Sequence, residues 1–161
     1  MIRFIAAFWL GICLYCGTFL AVSPSFAVDN ASQTRDKVET LANQTVTTVE
    51  QFLVSIPRDY YTVKQINQVK ALAKDKQALL VDVREPKEYA SGHIKGAINL
   101  PLRSLTDNLA GIPKNRSVIL YCSTGYRTAM GVMALQMLGY DNVRGFPPSI
   151  EGWKAAGEEL E

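Results

Sequence analysis

Two short and almost wholly apolar runs, Ala78-Leu79-Leu80-Val81-Asp82-Val83 and Val118-Ile119-Leu120-Tyr121, constrain this chain more than any other feature. A strand with one wet face alternates apolar and polar residues. A run that is apolar at successive positions needs cover on both faces, as strands inside parallel sheets do. Between and around these runs the spacing turns helical. Thr62 and Gln65 are placed as a capping box ahead of the apolar face Ile66, Val69, Leu72 and Ala73. Pro86 opens a short helical turn through Tyr89, and Ala97 to Leu100 reads as another strand. Leu105, Leu109 and Ile112 suggest a helix that stops near Pro113. Thr128 to Leu138 is apolar almost all round and reads as a buried helix, with Gly139 as its cap. Val143 to Phe146 is a further strand, and Ile150 to Ala156 a last helix around Trp153. Strands alternate with helices throughout residues 62–157, which predicts an α/β domain with a mainly parallel central sheet and helices on both faces.

The first residues differ in kind. Arg3 is the only charge before Asp29, residues 4–22 are almost wholly apolar, and Ser25 and Ala27 form a small-x-small site. This predicts a signal peptide over residues 1–27, cut after Ala27, and an exported, periplasmic protein. The alternative is an uncleaved anchor, because the apolar run is nearly long enough to span a bilayer. Only that alternative makes a membrane a partner. Residues 28–61 read as an N-terminal extension. Its apolar positions Val38, Leu41, Ala42, Val46, Val49 and Leu53 share one helical face, and the helix is expected to end before Pro57 and to be separable from a domain at 62–161.

With 161 residues and a net charge of +2, the chain has room for one domain and carries no stripe of basic and aromatic residues, so nucleic acid is not an expected partner. Removal of residues 1–27 would take Cys13 and Cys16 with it and leave Cys122 alone. A lone cysteine is either buried and inert or reactive, and its surroundings decide which. Cys122-Ser123-Thr124-Gly125-Tyr126-Arg127 joins a strand to a helix, at the carboxyl end of a strand, where this architecture binds ligands. A tight loop with Gly125 leading into a helix can turn successive N–H groups inward. Those donors lower the pKa of a thiol at their centre, and Arg127 adds a charged fork suited to oxyanions.

Four segments carry a family resemblance. Leu79 to Glu85 resembles the first signature of the rhodanese family, Glu88 to Ala97 the second, Tyr121 to Ala129 its active-site loop, and Gly152-Trp153 with Ala155-Ala156-Gly157 its C-terminal signature. Order and spacing agree over about residues 62–158. The resemblance implies a rhodanese-like fold and a sulfurtransferase that moves sulfane sulfur through a persulfide on Cys122. The donor would be a small molecule such as thiosulfate, and the acceptor a thiol or cyanide. Cys122 would be catalytic, and Ser123, Thr124, Gly125, Tyr126 and Arg127 would bind substrate. No metal or organic cofactor is required. One segment departs from the family: Phe146-Pro147-Pro148-Ser149 stands where many rhodaneses have a glycine pair, and its stiff prolines are expected at the pocket rim.

Other residues are read more plainly. His93, the only histidine, is expected to be structural, as in the family's Gly-His-Ile turn. Asp82 is expected to fix loop hydrogen bonds, Arg84 to pair with Glu88, Trp153 to pack in the core, and Tyr126 to line the entrance or stand exposed. Three rival functions remain: a phosphatase or arsenate reductase of the same fold, a partner-binding module, and a persulfide carrier with a protein acceptor. The related phosphatases resemble this chain with a loop one residue longer and a histidine where Tyr121 stands.

Overall fold

The computed structural model describes residues 25–74 and 76–161. The expected signal peptide lies almost wholly outside them. Helix α1 (Ser25–Ser55) starts earlier than the expected 36–53 and stops before Pro57. Among the described residues no helix is long and apolar enough to cross a membrane.

The chain divides into two compact units within α1, and the sheet belongs to the unit Asn43–Glu161. The chain ahead of the sheet packs locally. The Phe52 and Tyr61 rings stack with centroids 6.2 Å apart, and the Tyr61 hydroxyl donates to the Ser55 carbonyl. Thr62 then forms an isolated parallel bridge with Gly145. Its hydroxyl bonds to the Asp59 carbonyl, so Thr62 does not cap the next helix, and the expected box with Gln65 is absent.

Helix α2 (Ile66–Lys74) leads into β1 (Ala78–Asp82), followed by the short α3 (Pro86–Ala90), β2 (Ile98–Asn99), β3 (Ser117–Tyr121), α4 (Tyr126–Met137), β4 (Val143–Gly145) and α5 (Ser149–Ala155). The four strands form one parallel sheet in the order β2-β1-β3-β4. Alternate residues of the apolar runs feed two separate cores. Leu79, Val81, Val118, Leu120 and Val143 pack with Val132 and Leu135 of α4. Leu80, Ile119 and Tyr121 pack on the other face with Val69 of α2 and Ile150 and Trp153 of α5. The cover on both faces that continuous apolar strands demand is therefore present. Two expectations fail in detail. Residues 102–111 form two 3-10 segments rather than an α-helix. Helix α4 is not buried all round, since Tyr126 and Met130 are 79% and 61% exposed.

At the carboxyl end of β1 lies a buried ion pair. Asp82 is fully buried and Arg84 nearly so. The Arg84 guanidinium donates to both carboxylate oxygens, with Nη2 to Oδ2 at 2.6 Å, and also to the Gly92 carbonyl at 2.7 Å. Arg84 thus pairs with Asp82 and not with Glu88 as the sequence suggested; two residues along an extended chain bring fork and carboxylate together. Breaking a buried pair from one side strands the other charge. Asp82→Ala is expected to cost about 3–5 kcal/mol in denaturant unfolding. The double variant Asp82→Leu/Arg84→Met should recover part of that loss; equal loss in both would show that the stranded charge is not the cause.

Candidate active site

Cys122 follows β3 directly and opens the loop into α4. Strand β3 is central, so the cysteine backbone is fixed by neighbours on each side. The Phe146 N–H bonds to the Leu120 carbonyl at 2.8 Å, and the Val83 N–H to the Tyr121 carbonyl at 2.9 Å. Two N–H groups of α5 then take the loop's outward carbonyls: Ile150 to Cys122 and Glu151 to Ser123, both at 3.1 Å. With these carbonyls held from outside, loop N–H groups are free to turn inward.

The sulfur sits inside that turn, and Cys122 is 1% exposed. The Gly125 N–H reaches Sγ at 3.1 Å. Gly125 has φ +98, and a Cβ there would lie 2.7 Å from the Pro147 carbonyl oxygen. Glycine is required on both counts, the left-handed backbone and the close approach. Pro147 thus lies against the loop, as expected of the rim. Burial pushes the thiol pKa up, but the hydroxyl and N–H of Thr128 and the N–H groups of Gly125 and Thr124 outweigh it and bring the pKa below its ordinary value. The downward direction expected from the sequence is present, with hydrogen bonds rather than Arg127 as its main source.

Thr128 and Ser149 are the residues sequence reasoning missed. Ser149 is fully buried and holds φ +52, a strained angle for a side chain of this kind. Its hydroxyl donates to the Phe146 carbonyl at 2.9 Å, accepts from the Cys122 N–H at 3.2 Å, and lies 3.8 Å from Sγ. The Pro147-Pro148 pair before it was the only available signal. Thr128 could have been found from its place in the first turn of α4, beside the cradle.

Arg127 is oriented differently from expectation. Its guanidinium makes a two-pronged pair with Glu88, Nη1 to Oε2 at 2.6 Å and Nη2 to Oε1 at 2.8 Å, and also donates to the Ser123 hydroxyl at 2.9 Å. Ser123 in turn donates to Glu88 at 3.1 Å. The Arg127 pKa is raised, chiefly by Glu88 and less by Cys122. The fork therefore fastens the loop to α3 instead of standing open to an oxyanion. The Arg127 hydrogen bond holds the Glu88 carboxyl at about 2, against an ordinary 4.5. Tyr126 projects into solvent. Thr124 and Gly125, with Tyr126, line one side of a cavity. His93 stacks on Tyr89 at 3.7 Å, and its Nδ1 lies 3.2 Å from the Tyr89 carbonyl. Its contacts are those of a structural residue. Trp153 is buried and donates to the Glu159 carbonyl. Among the described residues no cluster of three or more His, Cys, Asp or Glu side chains is placed to hold a metal ion.

Comparison with known proteins agrees with this geometry. The Rhodanese-like domain family matches residues 65–156. The chain is 36% identical over 86 residues to a sulfurtransferase of Allochromatium vinosum, covering 53% of this chain and 80% of that protein. It is 38% identical over 96 residues to the thiosulfate:glutathione sulfurtransferase of Saccharomyces cerevisiae, covering 52% of this chain and 69% of that protein. Among solved structures, a rhodanese-related protein of Thermoplasma volcanium superposes with a TM-score of 0.54 at 27% identity, covering 62% of this chain and 98% of that one. A human single-domain sulfurtransferase has the same fold, with a TM-score of 0.53 at 24% identity over 58% of this chain and 95% of that one.

Two outcomes test the site. Thr128→Val removes a hydroxyl that favours the thiolate, so alkylation of Cys122 by iodoacetamide should shift to higher pH and slow about tenfold at neutral pH; an unmoved profile would remove Thr128 from the cradle. Glu88 has a depressed pKa, so its contribution is complete above about pH 4.5 and is lost as pH falls from there toward about 2. The difference in urea midpoint between the native protein and Glu88→Gln should therefore be present at neutral pH and shrink through that acid window.

Proposed function

This chain belongs to the rhodanese-like family, and from that premise we propose that it is a sulfurtransferase working through a persulfide on Cys122. The observation that carries this reading is the buried sulfur at the focus of inward N–H groups, with its pKa held below the ordinary thiol value. The Cys122 thiolate attacks the outer sulfur of a donor such as thiosulfate. The new S–S bond forms as the S–S bond of the donor breaks, and sulfite leaves with the electron pair. A thiol or cyanide then takes the outer sulfur, and the pair of the broken bond returns to Sγ. This is nucleophilic catalysis by a low-pKa cysteine. The terminal sulfur of the persulfide is anionic, and the donors of Thr124, Gly125 and Thr128 are positioned for it as an oxyanion hole is for oxygen.

The site also weighs against phosphate chemistry. Four residues separate Cys122 from Arg127, a compact ring suited to one added atom rather than to a tetrahedral centre with several oxygens. In addition, the Arg127 fork is already engaged by Glu88. Export belongs to the proposal too, on the strength of residues 1–27. Sequencing of the natively expressed protein should find Val28 at the N-terminus, and retention of Met1 or Ile2 in a membrane fraction would favour the anchor instead.

The deciding experiment is intact mass after incubation with thiosulfate, followed by assay with cyanide and with an aryl phosphate. A gain of one sulfur that is reversed by cyanide is expected, with negligible phosphate release. Cys122→Ser should abolish sulfur transfer, because a hydroxyl forms no persulfide. Cys122-dependent phosphate hydrolysis without sulfur transfer would overturn the reading.

A further inference from the structure

Next to the cysteine loop, within the Asn43–Glu161 unit, lies a cavity of about 600 Å³. That volume is in the usual range for small-molecule sites. One wall is made by Phe52, Leu53 and Tyr60, the other by Met130 and Met133 of α4 with Pro147. The first wall comes from residues that precede the family match at 65–156. The cysteine loop contributes Thr124, Gly125 and Tyr126 to the floor. Thr124, Gly125 and Thr128, whose groups stabilise the Cys122 thiolate, also line the cavity.

Among the described residues no charged side chain lines it. Arg127, the loop's own cation, is turned to Glu88 on α3 and is not among the lining residues. A small anion gains nothing from these walls. An uncharged apolar body gains by leaving water, and the flexible thioethers of Met130 and Met133 adapt to varied shapes. The mouth bears exposed apolar groups, with Leu53 and Met130 each more than half exposed. Such groups in open water are a cost that an apolar ligand removes.

We propose that this cavity is the acceptor site, and that the acceptor is a low-molecular-weight thiol with an uncharged, apolar body. The proposal rests on the persulfide reading of Cys122 and names its acceptor class. The anionic persulfide takes up the proton that the thiol gives up, and the resulting thiolate attacks its outer sulfur. An S–S bond forms to the acceptor, the bond to Sγ breaks with its electron pair left on Sγ, and the product is a neutral organic persulfide.

The test uses the full chain loaded with thiosulfate and a homologous acceptor series: ethanethiol, butanethiol and hexanethiol, with 2-mercaptoethanol and glutathione as polar controls. Burial of each added methylene should raise kcat/KM about three- to fourfold, and 1-hexanol, which cannot accept sulfur, should compete with hexanethiol. Met130→Glu and Leu53→Glu, both at exposed positions that tolerate a charge, should flatten the series; the slope is read rather than the absolute rate, so a partly damaged variant remains informative. A flat or falling series in the native protein overturns the proposal while the mass gain on Cys122 leaves the sulfurtransferase reading standing. A flat series together with concentration-dependent self-association assigns the cavity to a second copy of the chain and likewise overturns it. Absence of any mass gain overturns both readings.

Discussion

Asp82 is a carboxylate shut away from water at the end of a central strand, and the layer of loops above the sheet is hung on it. A charge in that position demands full satisfaction. Arg84 supplies it from two residues away through its fork and its own N–H. The same guanidinium then reaches the Gly92 carbonyl, fixing the turn ahead of β2. Asn99 bridges the Asp82 and Arg84 carbonyls, and the Leu100 N–H takes the Asp82 carbonyl as well. Tyr121, the residue before Cys122, accepts from the Ile94 N–H at its hydroxyl, whose pKa is raised by burial first and then by Asp82. The position of Cys122 is thus tied, through its neighbour, to a polar network that cannot relax without exposing a charge to an apolar interior.

Above that network the cysteine loop does two separate jobs with two sets of groups. Inward-facing N–H groups and the Thr128 hydroxyl act on the sulfur. The side chains of Ser123 and Arg127 face outward and meet Glu88 on α3. Division of labour follows from geometry. Backbone donors meet the sulfur, while the Arg127 fork directs both prongs to Glu88 and its charge still acts on Cys122.

The segment before β1 changes the surroundings of this shared machinery. Phe52, Leu53 and Tyr60 stand over the α4 side of the loop, and Thr62 bridges to Gly145 at the end of β4. The last residue of the outermost strand therefore serves two partners, β3 within the sheet and the incoming chain at Thr62. Helix α4 keeps Met130 and Tyr126 exposed on that side because the cavity lies there, although its sequence reads as if every face were covered.

The sequence by itself determined the class of fold, the order of the elements and the place of Cys122 between strand and helix. Continuous apolar runs require cover on both faces, turn residues mark the ends of the runs, and a cysteine between a strand and a helix with Gly125 behind it has one place to go. These are properties of neighbours in the chain, and local rules read them. What only the tertiary structure decided were the partners brought from afar: Arg127 with Glu88, Cys122 with Ser149, Gly125 with Pro147, and the wall of Phe52 and Leu53 beside α4. The sequence paired Arg84 with Glu88 on nearness alone, and the stacking of Phe52 on Tyr61 and the bridge of Thr62 to Gly145 leave no periodic trace in it. Short-range spacing records which face of a segment is apolar. It does not record which of several equally suitable charges or hydroxyls will meet, since that is settled by the register of β1 against β3 and by where the packed helices bring their ends.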